Sequence, residues 1–138
     1  MNAKGLEVFH ELSFYTLAHP SPTFIHQHSV DAFTAQTANE TTKPIAITFA
    51  LIGLYLFLDK NYTGRQVQLA HMKLAKNKKP WPKISLPKQG STITVHDVMN
   101  TNAGNERDLM IKQWCEEVWK LYAESRSAII KIVEEELR

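Results

Sequence analysis

Apolar residues recur every three to four positions along most of the chain, which is the pattern of amphipathic helices. Val8, Leu12 and Tyr15 share one helical face, and this predicts a first helix over residues 6–18. A second helix is predicted over residues 22–39, with Ser21 as its N-cap before a proline. This segment has few large aliphatic side chains, so its inner face must contain polar groups.

The third segment is apolar on every side. Residues 45–58 contain no charged side chain, which predicts a buried central helix over residues 44–59 or one face of a dimer interface. A buried strand is the alternative, but a length of about 15 residues favours a helix. The run is too short to cross a bilayer, which takes about 20 apolar residues, so we expect no membrane association.

The second half of the chain contains a predicted helix, a connector and a long final helix. Thr63 and Gln66 have capping-box spacing at the start of a helix over residues 64–77. A connector rich in proline and lysine follows over residues 78–94, where Ile84 and Leu86 alternate as in a short extended edge. A short helix is predicted at 95–99. The last helix, 105–137, would be about 45–50 Å long, so we expect it to fray, to bend or to be covered by a second subunit.

Together these elements predict an all-α fold: a bundle of four main helices, then the connector and a long C-terminal helix. The length of 138 residues, with 43% hydrophobic and 22% charged residues, is typical of one globular domain. One cysteine excludes a disulfide framework. The first residues do not form a secretory signal, so we expect a cytoplasmic protein.

Charge is distributed unevenly along the chain. Residues 60–90 contain eight basic residues and no acidic one, whereas the last third of the chain is acidic. This asymmetry is a reason to consider an anionic partner, but the favoured interpretation is that the lysines solvate a turn. Nucleic acid is the least favoured partner, because no nucleic-acid-binding motif accompanies the lysines.

Histidines and one aspartate are the main candidates for chemistry. His28 and Asp31 lie three residues apart on a predicted helix, so both side chains can point at one site. His71 lies in the apolar stripe of the helix at 64–77, and His10 or Glu11 can supply a further ligand from the first helix. Bundle cores assemble metal sites in this way, and this set suits zinc or non-haem iron. The alternatives are a buried hydrogen-bonded His–Asp pair that stabilises the bundle, and a metal-free acid–base pair.

Four other side chains are candidates for lesser roles. His26 lies about 200° around the helix from His28, so it is an extra ligand or base only if the first turn is distorted. Gln27 is expected to be exposed. Arg65, at a predicted helix N-terminus, suits an anion such as a carboxylate or phosphate, and Cys115 is interpreted as a small buried side chain.

Several segments resemble one known family. They are Phe24-Ile-His-Gln-His-Ser-Val-Asp-Ala-Phe-Thr-Ala-Gln36, Gly64-Arg-Gln-Val-Gln68 and Trp114-Cys-Glu-Glu-Val-Trp119. Nearly the whole chain is similar to a family of small bacterial proteins that form a domain of unknown function. The resemblance implies a stand-alone domain and draws attention to the His-Gln-His…Asp segment, but it implies no activity.

Two main functional hypotheses follow from these residues. The first is a metal-binding protein, either a small metal-dependent hydrolase or an oxidoreductase, in which a divalent ion activates water and Arg65 attracts a small anionic substrate. The second is a non-catalytic homodimeric interaction protein with a purely structural His28–Asp31 pair. Its dimer is expected to form through the apolar third helix or the far part of the last helix.

Overall fold

The computed structural model describes residues 3–19 and 23–137, which form seven helices and no strand. The all-helical class is therefore confirmed for this part of the chain. In chain order the helices are α1 (Ala3–Ala18), α2 (Ile25–Thr37), α3 (Pro44–Lys60), α4 (Gly64–Ala75), α5 (Val95–Met99), α6 (Asn105–Leu121) and α7 (Arg126–Glu136).

Helix α4 begins where its capping signal predicts. The Thr63 hydroxyl accepts a hydrogen bond from the backbone N–H of Gln66 at 3.2 Å, and the Gln66 side chain accepts one from the Thr63 N–H at 2.8 Å. These bonds satisfy two donors that a helix N-terminus leaves open. The short helix at 95–99 begins in the same way, with Thr94 and Asp97 as its capping pair.

Helix α2 begins against the N-terminus of α4. The predicted start at Pro22 and the Ser21 cap lie outside the described residues. Phe24 precedes the first turn in the left-handed region, with a φ of 47°. The Gly64 N–H donates to the Thr23 carbonyl at 2.5 Å, and a Cβ at Gly64 would lie 1.8 Å from the Phe24 carbonyl oxygen. Glycine is therefore required at this close approach.

The prediction of one long final helix is wrong. Helix α6 ends at Leu121, a 3-10 turn occupies Ala123–Ser125, and α7 continues in a new direction to pack on α3. Tyr122 at the break is 2% exposed, and its hydroxyl donates to the Ala35 carbonyl at 2.6 Å. Of the three outcomes expected for this segment, bending is the one that occurs, and the count of four main helices is too low.

Helices α2 and α3 lie at the centre of the molecule. Helix α2 packs on α1, α3, α4 and α6, and α3 also packs on α4, α6 and α7. Nine residues of α3 are buried between Ile47 and Leu56, which explains why that segment is apolar on every side. None of the described helices is both long enough and apolar enough to span a bilayer.

The connector, residues 78–94, crosses the bundle without helix or strand and is fixed near both ends. Near its start the Trp81 ring lies edge-on to Phe49, with centroids 5.2 Å apart. Near its end the Glu117 carboxylate accepts hydrogen bonds from the Ser91 hydroxyl and from the backbone N–H groups of Thr92 and Ile93. The Glu117 side chain of α6 thus holds the last part of the connector in place.

Candidate functional site

His28 is sealed inside the bundle. It lies on α2 with 1% of its surface exposed, and its ring stacks on Phe57 of α3 with centroids 3.6 Å apart and an interplanar angle of 9°. Neither ring nitrogen has a hydrogen-bond partner among the described residues. Burial lowers the pKa of His28 to about 4, because desolvation disfavours the charged imidazolium. The ring is therefore neutral at physiological pH.

Asp31 lies one turn further along α2 and is 3% exposed. Its Oδ1 accepts a hydrogen bond from Gln27 Nε2 at 3.1 Å, whereas Oδ2 has no partner in the described structure. Burial raises the pKa of Asp31 well above its ordinary value, and the Gln27 hydrogen bond opposes this only in part. Burial thus favours the neutral form of Asp31, as it does that of His28.

Gly53 of α3 provides the space for the Asp31 carboxyl group. A Cβ atom at this position would lie 1.9 Å from Oδ2 of Asp31 and 3.2 Å from Cγ1 of Val67. The carboxyl group therefore lies directly against the α3 backbone, at the junction of α2, α3 and α4. The sequence contains no signal for this contact beyond a single glycine in a long apolar run.

Cys115 of α6 lies against the same turn of α2. It is fully buried, as predicted, and its Sγ donates to the His28 carbonyl at 3.6 Å. Burial raises the pKa of the Cys115 thiol well above its usual value, and the charges of Asp31 and Glu116 raise it further. The thiol is therefore protonated and serves as a packing group rather than as a nucleophile.

The structure does not bring the other predicted metal ligands to His28 and Asp31. His71 lies against α3, where its Nε2 is 2.8 Å from the Phe49 carbonyl oxygen and its ring stacks on Phe49. His10 and Glu11 are exposed on α1. Within residues 3–19 and 23–137, no group of three or more His, Cys, Asp or Glu side chains is placed to hold a metal ion.

Three further candidates lie near the start of α2. His26 is half-buried, and its Nδ1 lies 2.9 Å from the Thr16 hydroxyl, a contact that joins α1 to α2. Arg65 is exposed at the N-terminus of α4, as predicted, with its guanidinium 3.9 Å from the Phe24 ring centroid. Gln27 is half-buried rather than exposed, because its amide bonds to Asp31, a neighbour at helical i, i+4 spacing.

Two helix surfaces combine exposed apolar and charged side chains. The α1 face consists of Glu7, Glu11, Phe14 and Leu17, and the two apolar residues are 77% and 54% exposed. The α4 face consists of Arg65, Leu69, Met72 and the C-cap residue Lys76, and Leu69 and Met72 are 65% and 63% exposed. Only the structure shows how far these apolar side chains are exposed.

Comparison with known proteins identifies a family but no characterised relative. No curated protein and no solved structure matches the chain. A family model described as a family of unknown function, DUF5946, matches residues 6–123. This match confirms the resemblance found in the sequence, and the chain belongs to the family of unknown function DUF5946.

Proposed function

We propose that the protein is a non-catalytic interaction protein that acts as a homodimer, with His28 and Asp31 as structural parts of its interior. The burial of these two side chains, which are 1% and 3% exposed, carries the proposal. A substrate needs access to a catalytic or metal-binding pair. The cavities at the connector and beside the end of α3 are lined by other residues.

The partner that fits the exposed faces is a second copy of the chain. The α1 face has two carboxylates, Glu7 and Glu11, beside its apolar residues. On the α4 face the basic residues Arg65 and Lys76 lie at the two ends of the apolar pair. The α4 positions follow i, i+4, i+7 and i+11 spacing, so they form one stripe along the helix. Opposite charges that flank apolar residues favour the pairing of α1 with α4 of the other copy.

A two-fold dimer makes this α1–α4 contact twice, because each copy offers the same two surfaces. The interface differs from the two expected from sequence. Helix α3 is buried within its own chain, and the end of the chain folds back on α3 as α7. The exposed apolar side chains that would form the interface lie instead on the α1 and α4 faces.

Sedimentation velocity over a wide range of protein concentration tests the dimer. We expect a concentration-dependent dimer that Phe14→Ser and Met72→Glu each convert to monomer. Glu11→Lys should weaken the dimer, and Lys76→Glu in the same chain should restore it. Leu109→Ser is the matched control, because Leu109 is 58% exposed on α6 outside both faces. A protein that is monomeric at every concentration, or an equal effect of the control, would overturn the proposal.

Metal binding by His28 and Asp31 is the second candidate function. Both ring nitrogens of His28 and Oδ2 of Asp31 are buried without partners, and such groups are rare unless an ion or water satisfies them. Two protein ligands leave a zinc or iron site incomplete, since these sites take at least three. If the site is loaded, the ion would supply Lewis acidity, and Arg65 is the residue proposed to attract a small anionic substrate.

Elemental mass spectrometry of untagged protein, purified without chelator, separates the two candidates. The structural interpretation predicts far less than one metal ion per chain, even after supplementation with zinc or iron. Stoichiometric metal that is lost in both His28→Gln and Asp31→Asn would overturn that interpretation and establish a metal site. His96→Gln is the control, since His96 lies on α5 and the pair lies on α2.

A further inference from the structure

Residues 83–90 of the connector have an open backbone. They form neither helix nor strand, and their N–H and C=O groups have no hydrogen-bond partner within the described part of the chain. The segment is nevertheless fixed in place, because Trp81 packs on Phe49 before it and Glu117 binds residues 91–93 after it. A segment that is held at both ends and has free backbone groups offers a partner the same unpaired donors and acceptors as the edge strand of a sheet.

Side chains of this segment alternate between the core and solvent. Ile84 is 6% exposed and packs into the core, Leu86 is half-buried against it, and Lys83 and Ser85 are exposed. This is the period of two expected for an extended strand. Pro82 and Pro87 flank these residues, and because proline has no N–H group they limit the open edge to residues 83–86.

Two cavities adjoin the open edge. One has a volume of about 530 Å³, and its lining combines the apolar residues Pro44, Ile47, Ile84 and Leu86 with polar and charged ones. The other, of about 520 Å³, extends from Leu86 to Ser91 along the rest of the connector. Both are lined by Asn39, Glu40 and Leu86, so they adjoin each other beside this segment, and the two together are called the groove.

The charge of the segment indicates which kind of ligand would bind there. Lys83 and Lys88 line the groove, and neither has an ion pair within the described residues. No acidic residue occurs between positions 60 and 90. Glu40 is the acidic residue that lines both cavities, so the carboxylates of an acidic ligand would have to lie toward Lys83 and Lys88 and away from Glu40. The Glu117 carboxylate accepts hydrogen bonds from residues 91–93.

We propose that residues 83–86 bind an extended acidic peptide as an added strand. Peptide backbone groups pair with the open N–H and C=O groups of the segment, which is the mode of strand addition to an exposed edge. An apolar side chain of the peptide enters the cavity at Ile47 and Leu86, and its carboxylates lie near Lys83 and Lys88. This site goes beyond the proposed dimer, since it uses neither the α1 face nor the α4 face.

Fluorescence anisotropy with a labelled peptide of alternating glutamate and valine tests the proposal on the full chain. We expect saturable binding that weakens about tenfold or more when alternate peptide amides are N-methylated. A lysine–valine peptide of equal length should not bind. Hydrogen exchange should show that the acidic peptide protects the amides of residues 83–86 but not those of α7.

Variants of the chain separate backbone pairing from charge. Ser85→Pro removes one N–H from the edge and should reduce affinity, whereas the matched Ser85→Ala keeps that N–H and should not. Lys83→Glu with Lys88→Glu should abolish binding, and Lys112→Glu with Lys131→Glu, at two exposed positions outside the groove, is the control for net charge. Circular dichroism melts of each variant establish that it is folded.

Three outcomes would overturn the proposal. The first is no saturable binding of the acidic peptide. The second is equal affinity for the unmodified and N-methylated peptides, which would exclude strand addition. The third is tighter, steeply salt-dependent binding of a single-stranded oligonucleotide that displaces the peptide, which would identify a nucleic-acid surface instead.

Discussion

Gly53 and Asp31 are in direct contact across the α2–α3 interface, where a Cβ at Gly53 would lie 1.9 Å from Oδ2 of Asp31. The carboxyl group occupies the volume that any other residue at position 53 would fill. Since Asp31 is buried on a short side chain, it cannot swing into solvent to make room. The central apolar helix therefore contains a glycine where the second helix has its buried acid.

Gly53→Ala is expected to destabilise the protein by about 1–3 kcal/mol, the usual cost of overpacking a core. Urea unfolding followed by circular dichroism measures the change. Gly90→Ala is the control, because a Cβ there meets no atom within 4 Å, and it should change stability by no more than about 0.5 kcal/mol. Combination with Asp31→Ala should remove most of the Gly53→Ala penalty; full additivity would show that the clash is elsewhere.

The low pKa of His28 predicts a loss of stability in mild acid. Its folded-state pKa of about 4 is below the ordinary 6.5, so the unfolded chain binds the proton more readily. The stability due to this group is complete above pH 6.5 and is lost as the pH falls toward 4, by up to about 3 kcal/mol. His28→Gln should flatten this part of the stability–pH curve, whatever its effect at pH 8. An unchanged slope in the variant would assign the acid sensitivity to other groups.

The raised pKa of Asp31 predicts the opposite dependence of stability on pH. Its pKa is raised in the folded state, so the stability due to this group is complete below its unfolded pKa of about 3.8 and is lost as the pH rises above that value. Asp31→Asn keeps the shape and an acceptor for Gln27 but cannot ionise. The variant should be more stable than the parent at neutral pH and similar to it near pH 3. A less stable variant at neutral pH would show that the Asp31 carboxylate has a partner that stabilises it.

Local sequence signals predicted the elements but not the site geometry. The capping box at Thr63 and the uniformly apolar run at 45–58 predicted α4 and α3 to within about two residues. The bend at Tyr122 was not predictable in position, because it depends on a hydrogen bond to the distant Ala35 carbonyl. Contacts between distant residues also limited the prediction of the site. Helical spacing placed Asp31 on an inner face, but it could not show that the His71 ring contacts the Phe49 carbonyl oxygen instead of approaching Asp31.

Glu117 is predicted to hold the end of the connector. Its carboxylate accepts hydrogen bonds from the Ser91 hydroxyl and from two backbone N–H groups, at Thr92 and Ile93. The Ser91 hydrogen bond is the main reason why the pKa of Glu117 is lowered. Glu117→Ala should therefore lower stability by about 1–3 kcal/mol and speed hydrogen exchange at residues 91–93.

Glu116→Ala is the matched control for Glu117, because Glu116 is exposed on the same helix and should leave both measurements unchanged. The contribution of Glu117 is complete above its unfolded pKa of 4.5 and is lost as the pH falls through its lower folded pKa. The difference between parent and Glu117→Ala should accordingly shrink in acid. A difference that does not depend on pH would mean that the neutral carboxyl group holds the connector equally well.

Cys115 is predicted to resist alkylation in the folded protein. The side chain is fully buried, and burial raises the pKa of its thiol well above the usual value, so the reactive thiolate is scarce and shielded. Iodoacetamide at pH 8 should label the native chain far more slowly than the urea-unfolded chain, as followed by intact mass. In Asp31→Asn, native labelling should remain slow, since burial is the main cause of the raised pKa of the thiol. Labelling of the native parent as fast as that of the unfolded chain would show that α6 separates readily from α2 and that the interior around His28 is open to solutes.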